Sequence, residues 1–244
     1  MSDNEIIIKT NGLTKKYQDM TVLDNLNLEV KTGEIFGFLG HNGAGKTTTV
    51  NILTTLLKPS SGSAEICGFD LEKHSLDIRK NIGYLPENVK FYENLTAFEN
   101  LEFFAKLSGL KKPAAKIKDV LKFLDFEGFE NKKLGEFSKG MRQRIGIAQA
   151  IIHEPKILFL DEPTSGLDPM GIKNLRDVII KLNREKNMTI FMNTHLLSEV
   201  AKTCTTIGVL NHGKLIYKDS LANTLFKFKD DASLEEIYFN IEQK

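Results

Sequence analysis

The chain has 244 residues, enough for one large domain or two small ones, and its core needs no staples to be stable. Its 33 Lys and Arg balance 32 Asp and Glu, leaving a net charge of +1, which excludes a broad field for nucleic acid or an anionic bilayer. Two cysteines, Cys67 and Cys204, lie far apart without metal-ligand spacing and read as reduced thiols, not as a disulfide framework.

Met1 to Glu5 are polar and acidic where a secretory leader would be basic and then apolar, so no export is expected. No apolar run approaches the roughly 18 residues that span a bilayer, so any membrane association must be borrowed from another chain. Ile35–Leu39 is the first short apolar run with the pattern of a buried strand. It leads into Gly40-His41-Asn42-Gly43-Ala44-Gly45-Lys46-Thr47, and the spacing of Val50, Leu53, Thr54 and Leu57 predicts a helix over Thr48–Leu57. Strand, glycine loop and helix stand in the order of a phosphate cradle. Glycines let the backbone amides turn inward around phosphates, the helix N-terminus adds its positive end, Lys46 supplies a mobile charge, and Thr47 offers a hydroxyl to magnesium.

A second buried strand is expected at Ile82–Leu85. From Leu95 to Ile152 the strand runs stop, and Phe98, Leu101 and Phe104, then Val120, Leu121, Phe123 and Leu124, recur at helical spacing. This stretch reads as a helical subdomain inserted into a sheet domain, with Thr96 and Glu99 forming a capping box at its first helix. Phe91, Tyr92, Phe103 and Phe104 supply more large apolar groups than one helical stripe accommodates. They either complete the core or form a docking surface. Ile157–Leu160 is a further buried strand, ending in Asp161 and Glu162. In an open α/β sheet ligands sit at that end. Alone, such an acid pair reads as a solvated turn; behind a phosphate loop, Asp161 suits magnesium and Glu162 suits the attacking water. Strands at Thr189–Met192 and Thr206–Leu210 follow, then a second capping box, Ser233 with Glu236, opening an amphipathic helix with Leu234, Ile237, Tyr238 and Ile241 on one face. The alternation argues for an α/β fold with a mostly parallel, buried sheet.

Phe137-Ser138-Lys139-Gly140-Met141-Arg142-Gln143-Arg144 resembles the Leu-Ser-Gly-Gly-Gln signature of the nucleotide-binding subunits of ATP-binding cassette transporters. The carboxylate strand, Ser165-Gly166-Leu167-Asp168 and His195 follow in that family's order, and the resemblance covers nearly the whole chain. It implies one P-loop NTPase domain over 1–244 with an antiparallel N-terminal β region. The nucleotide-binding core would lie at about 1–87 and 154–220, the helical subdomain at about 88–153 and a helical tail at about 221–244. It also implies a Mg-dependent ATPase that binds ATP through Gly40 to Thr48, with Tyr17 stacking on adenine. Glu162 and His195 would be catalytic, with magnesium at Thr47, Asp161 and Glu87. Ser138, Lys139, Gly140 and Met141 would face the nucleotide of a second subunit, itself or a homologue, and Asp168 would bridge the two.

The implied partner is a separate multi-span permease, with this subunit peripheral on the cytoplasmic face of the membrane and no nucleic acid expected. The alternative is a soluble cassette ATPase acting on nucleic acid or ribosomes. Departures are also plain. Glu87 stands where the family usually has glutamine, and Lys139 replaces a glycine, either as a cation near the partner's γ-phosphate or as a solvated lysine. Leu85-Pro86-Glu87, the Ser-Lys-Gly-Met signature and the tail Ser233-Leu234-Glu235-Glu236-Ile237-Tyr238 resemble the drug-export branch. Nothing in the chain names the cargo.

Overall fold

In chain order, two long strands, β1 (Ile6–Tyr17) and β2 (Met20–Lys31), precede β3 (Ile35–Leu39) and helix α1 (Lys46–Leu53). Short strands β4 (Ser61–Ile66) and β5 (Phe69–Asp70), helix α2 (Ser75–Asn81) and β6 (Ile82–Leu85) follow. Helices α3 (Ala97–Leu107), α4 (Ala114–Phe123) and α5 (Lys139–Ile151) then intervene before β7 (Ile157–Asp161). The chain continues through α6 (Pro169–Lys186), β8 (Thr189–Asn193), α7 (Leu197–Thr203), β9 (Thr206–Asn211), β10 (Lys214–Ser220), α8 (Leu221–Lys227) and α9 (Leu234–Glu242). This computed structural model describes residues 5–228 and 233–242; the acidic start Met1–Asn4 and the tail residues 229–232 and 243–244 lie outside the described residues.

The strands form two sheets. One is antiparallel, in the order β2-β1-β4-β5. The other has the order β10-β9-β3-β8-β7-β6, parallel from β9 to β6 and closed at one edge by the antiparallel β10. Side chains of a strand alternate between faces, and here the alternation sorts two cores. Phe36, Phe38, Phe159 and Phe191 meet on one face, with ring centroids 5.2 Å apart for Phe36 and Phe191 and 5.3 Å for Phe159 and Phe191. They pack against Leu13, Leu26 and Leu28 of the antiparallel sheet and Val50 of α1. On the opposite face Ile35, Leu39, Leu158, Leu160 and Ile190 pack with Leu101, Leu121, Ile147 and Leu175 of the helices.

Local signals explain several boundaries. Thr96 Oγ1 accepts from Glu99 N at 3.1 Å and Glu99 Oε2 accepts from Thr96 N at 2.8 Å, closing the expected capping box on α3. Ser233 Oγ accepts from Glu236 N at 3.2 Å, and α9 buries Leu234, Ile237 and Ile241. Helix α1 differs from expectation: it begins at Lys46 and stops at Leu53, short of Leu57. Thr54 Oγ1 bonds back to the Val50 carbonyl at 2.8 Å and Thr55 takes a left-handed φ of 63°, which ends the helical path. No helix among the described residues is long and apolar enough to cross a membrane.

Candidate active site

β3 delivers the chain into the glycine loop at the C-terminal edge of the parallel sheet. Two glycines there are dictated by space. A Cβ at Gly40 would fall 2.4 Å from the Leu210 carbonyl oxygen, and one at Gly45, whose φ is 107°, would fall 2.7 Å from that of Val22. Ala44 is buried, and its N–H closes a turn on the His41 carbonyl at 3.1 Å. Lys46 folds back over the loop, its Nζ donating to the carbonyls of Gly40 at 2.6 Å and His41 at 3.1 Å. Burial pushes its pKa down, while Glu162 and Asp161 oppose that shift. The result is a cation suspended among backbone oxygens and acids. Asn42, Gly43, Gly45, Lys46, Thr47 and Thr48 form one wall of an open cleft of about 450 Å³, and Met20, Val22, Glu87, Glu162 and His195 complete it.

Asp161 ends β7 and pairs in register with Asn193, the last residue of β8. It is only 6% exposed, and Asn193 Nδ2 donates to its Oδ1 at 2.5 Å. Burial raises the Asp161 pKa, with smaller upward contributions from Glu162 and Glu87, while the Asn193 bond and Lys46 work against it. The Tyr84 hydroxyl on β6 interacts with the same carboxylate, and burial together with that charge pushes the phenol up to about 12. Glu162 turns the chain out of the sheet at φ 45°, its amide bonded to the Asn193 carbonyl at 2.9 Å. Its Oε2 lies 2.8 Å from His195 Nδ1. Beyond that ion-pair contact, this buried oxygen has no hydrogen-bond partner among the described residues. Across the cleft, Ser165 Oγ donates to Glu87 Oε1 at 3.2 Å.

Four residues expected at the nucleotide, Tyr17, Gly40, His41 and Ala44, and the expected metal ligand Asp161 are not among those that line the cleft. Tyr17 is 47% exposed at the β1–β2 turn, with Lys15 Nζ 5.1 Å over its ring, and Met20 and Val22 occupy the wall instead. His41 turns toward His212, with ring centroids 5.2 Å apart, and its Nδ1 donates to the Asn42 carbonyl at 2.7 Å. Conversely, Asn193, Tyr84, Met20 and Val22 join the site without having been singled out as site residues from the sequence. The one available signal was that Asn193 follows an apolar strand as Asp161 does.

The signature residues lie elsewhere. Ser138 caps α5 by accepting from Met141 N at 3.3 Å, and Asp168 caps α6 by accepting from Gly171 N at 2.9 Å, with Pro169 in the first turn. Ser138, Lys139, Gly140, Met141 and Asp168 line a second cavity of about 400 Å³ that shares no lining residue with the first. Lys139 lies over the turn at Gly166, where an added Cβ would fall 2.6 Å from its Nζ. Gln143 Nε2 donates to the Pro163 carbonyl at 3.0 Å, so α5 is tied to the segment that leaves Glu162.

The family described as ABC transporter matches residues 23–165, more than half of the chain. The chain belongs to the ABC transporter family. It is an ATP-binding subunit and an ATPase acting in transport. The cassette is 48% identical over 210 residues to the bacitracin transport ATP-binding protein BcrA of Bacillus licheniformis, covering 86% of this chain and 68% of that one. Among solved structures it resembles cbiO1 of Clostridium perfringens, part of the ABC transporter complex cbiONQ, with a TM-score of 0.83, 28% identity and coverage of 93% of this chain and 92% of that one. It also resembles the dimeric post-hydrolysis state of the cassette MJ0796 bound to ADP and Pi, with a TM-score of 0.78, 28% identity and coverage of 88% and 98%.

Proposed function

We propose that the cassette binds Mg-ATP in the Lys46 cleft, dimerises around it, and hydrolyses it to drive a separate membrane-spanning exporter from the cytoplasmic face. One observation carries the reading: a single cleft brings the phosphate loop, Lys46, Thr47, Glu87, Glu162 and His195 together. Lys46 exchanges its carbonyl partners for phosphate oxygens, and the loop amides add fixed dipoles. Glu162 accepts the proton of the attacking water, and His195, in contact with its carboxylate, orients it. The dimeric relative and the cassette drawn from a transporter complex support the two kinds of partner. The export-branch features and the bacitracin-transport relative support the direction, and the relatives' names do not favour an ATPase acting on nucleic acid or ribosomes.

The residues fit magnesium. Thr47, Asp161 and Glu87 offer hard oxygen donors, and burial makes the Asp161 charge costly, a cost that a divalent cation offsets. Bound there, magnesium neutralises charge on the β and γ phosphates. Glu87 gives the test. Glu87→Ala is expected to raise the Mg²⁺ concentration for half-maximal hydrolysis by about tenfold, and Glu87→Gln by less, because an oxygen ligand remains. If neither variant changes the metal requirement, Glu87 is only the acceptor of the Ser165 hydroxyl.

The permease contact follows from an aromatic patch. Tyr92 and Phe103 are 51% and 41% exposed and meet edge to face at 5.2 Å, whereas Phe91 is half-buried against the helical core and meets Phe104 edge to face at 6.5 Å. Of the four rings, Tyr92 and Phe103 therefore carry the docking surface, and Phe91 belongs with the core. Tyr92→Ala or Phe103→Ala should leave folding and ATPase activity intact and weaken recovery on membranes with the permease by about 2 kcal/mol. Phe91→Ala should instead lower thermal stability. Unimpaired membrane recovery in the first two variants would place the docking site elsewhere.

A further inference from the structure

We propose that Asn193 is a positioning residue of the hydrolytic site, holding the Asp161 carboxylate and the Glu162 backbone in the arrangement that receives magnesium and water. The inference rests on the assignment of Asp161 to the metal. Asn193 closes β8, whose preceding residues Thr189–Met192 are all buried, and it is itself only 1% exposed. A primary amide buried at that depth is costly unless its groups are bonded. It pairs in register with Phe38 of β3 on one side and Asp161 of β7 on the other, so it stands between the strand that enters the phosphate loop and the strand that ends in the carboxylates.

Its bonds go to the two acids. Nδ2 donates to Asp161 Oδ1 at 2.5 Å, fixing which carboxylate oxygen remains for another ligand. Its backbone carbonyl accepts the Glu162 amide at 2.9 Å, and that bond holds the left-handed turn, φ 45°, from which the Glu162 side chain reaches His195. A non-glycine residue in that conformation needs such an anchor. The amide is not self-sufficient core, because Asn193 Oδ1 is buried without a hydrogen-bond partner among the described residues. Buried polar atoms in purely structural positions are almost always paired. An unpaired acceptor among the carboxylates suits a water ordered at the site.

Asn193→Leu keeps the branched shape and the number of heavy atoms and removes both amide functions, while Asn193→Ser keeps a donor, now a hydroxyl, at shorter reach. Each is compared with Asp161→Asn by ATP binding in EDTA, by the Mg²⁺ dependence of both binding and hydrolysis, and by thermal melting. Asn193→Leu should bind metal-free ATP as the parent does, yet need about 10- to 100-fold more Mg²⁺ and lose kcat with KM for ATP held. Asn193→Ser should show the same changes at smaller size, and it decides the matter if the leucine variant does not fold. Unchanged metal requirement and kcat in the Asn193 variants, with Asp161→Asn impaired, would overturn the inference alone. An unchanged metal requirement in Asp161→Asn would remove the metal assignment, and the inference with it. Loss of metal-free ATP binding in step with melting temperature would reduce Asn193 to a folding role.

Discussion

Glu162→Gln is expected to lower ATP turnover by about 10²- to 10⁴-fold while ATP binding persists. The substitution is nearly isosteric, so the left-handed turn and the amide bond to the Asn193 carbonyl stay as they are. The capacity to accept a proton disappears, together with the negative charge that acts on Lys46 and Asp161. The carboxylate is largely buried, with its Oε2 beside His195 Nδ1 and otherwise unpaired among the described residues, which leaves that oxygen available to a water in the cleft. Lys46 and the loop amides, which carry the phosphates in the proposed scheme, are untouched. Equilibrium binding of a fluorescent ATP analogue and single-turnover hydrolysis separate the two quantities. His195→Ala should reproduce much of the loss, since the imidazole orients the same carboxylate. Near-normal hydrolysis in Glu162→Gln would move the proton acceptor to another residue.

How much of this was legible in the sequence depended on whether a strand is buried on one face or two. β3, β6, β7, β8 and β9 lie in the parallel sheet and are buried or nearly so along their length, so each shows as an apolar run. β1 and β2 give no such run. In Leu26-Asn27-Leu28-Glu29-Val30-Lys31 the burial alternates residue by residue, because one face meets the phenylalanine core and the other meets solvent. The antiparallel region is implied by the resemblance and not by an apolar run. The phosphate loop was legible because glycine is forced by close approach at Gly40 and Gly45, and a forced residue type is visible without coordinates. Asn193 was not, since one polar residue after an apolar strand carries no statement of its partner until β7 and β8 are seen in register. The Phe91–Tyr92 pair stays open for a similar reason: two adjacent rings before a capping box carry no statement of which one faces the core, and the chain turns Phe91 inward and Tyr92 outward.

Ser138→Arg should abolish ATP-driven dimerisation and lower hydrolysis by about 10²-fold or more, leaving nucleotide binding by the single subunit in place. The phosphate cleft and the signature cavity share no lining residue, so the two surfaces suit the nucleotides of different copies. Two copies related by a two-fold axis would complete two sites at once, each cradle covered by the other copy's Ser138 and the N-terminus of its α5. That helix is long enough to present free amides and a positive dipole end to a phosphate. The approach is open as well, since a Cβ at Gly140 would meet no atom closer than 4.0 Å. Arginine at 138 obstructs that approach with a long side chain and removes the cap on Met141 N, which by itself costs about 1 kcal/mol of helix stability. Ser138→Ala isolates the cap: it should fold, dimerise more weakly than the parent, and lose less activity than the arginine variant. In the Glu162→Gln background, where ATP persists, sedimentation with Mg-ATP should show a dimer for Ser138 and a monomer for Arg at that position. A Glu162→Gln chain that stays monomeric at saturating ATP would refute the composite site, and a Ser138→Arg chain that still dimerises would move the contact away from the start of α5.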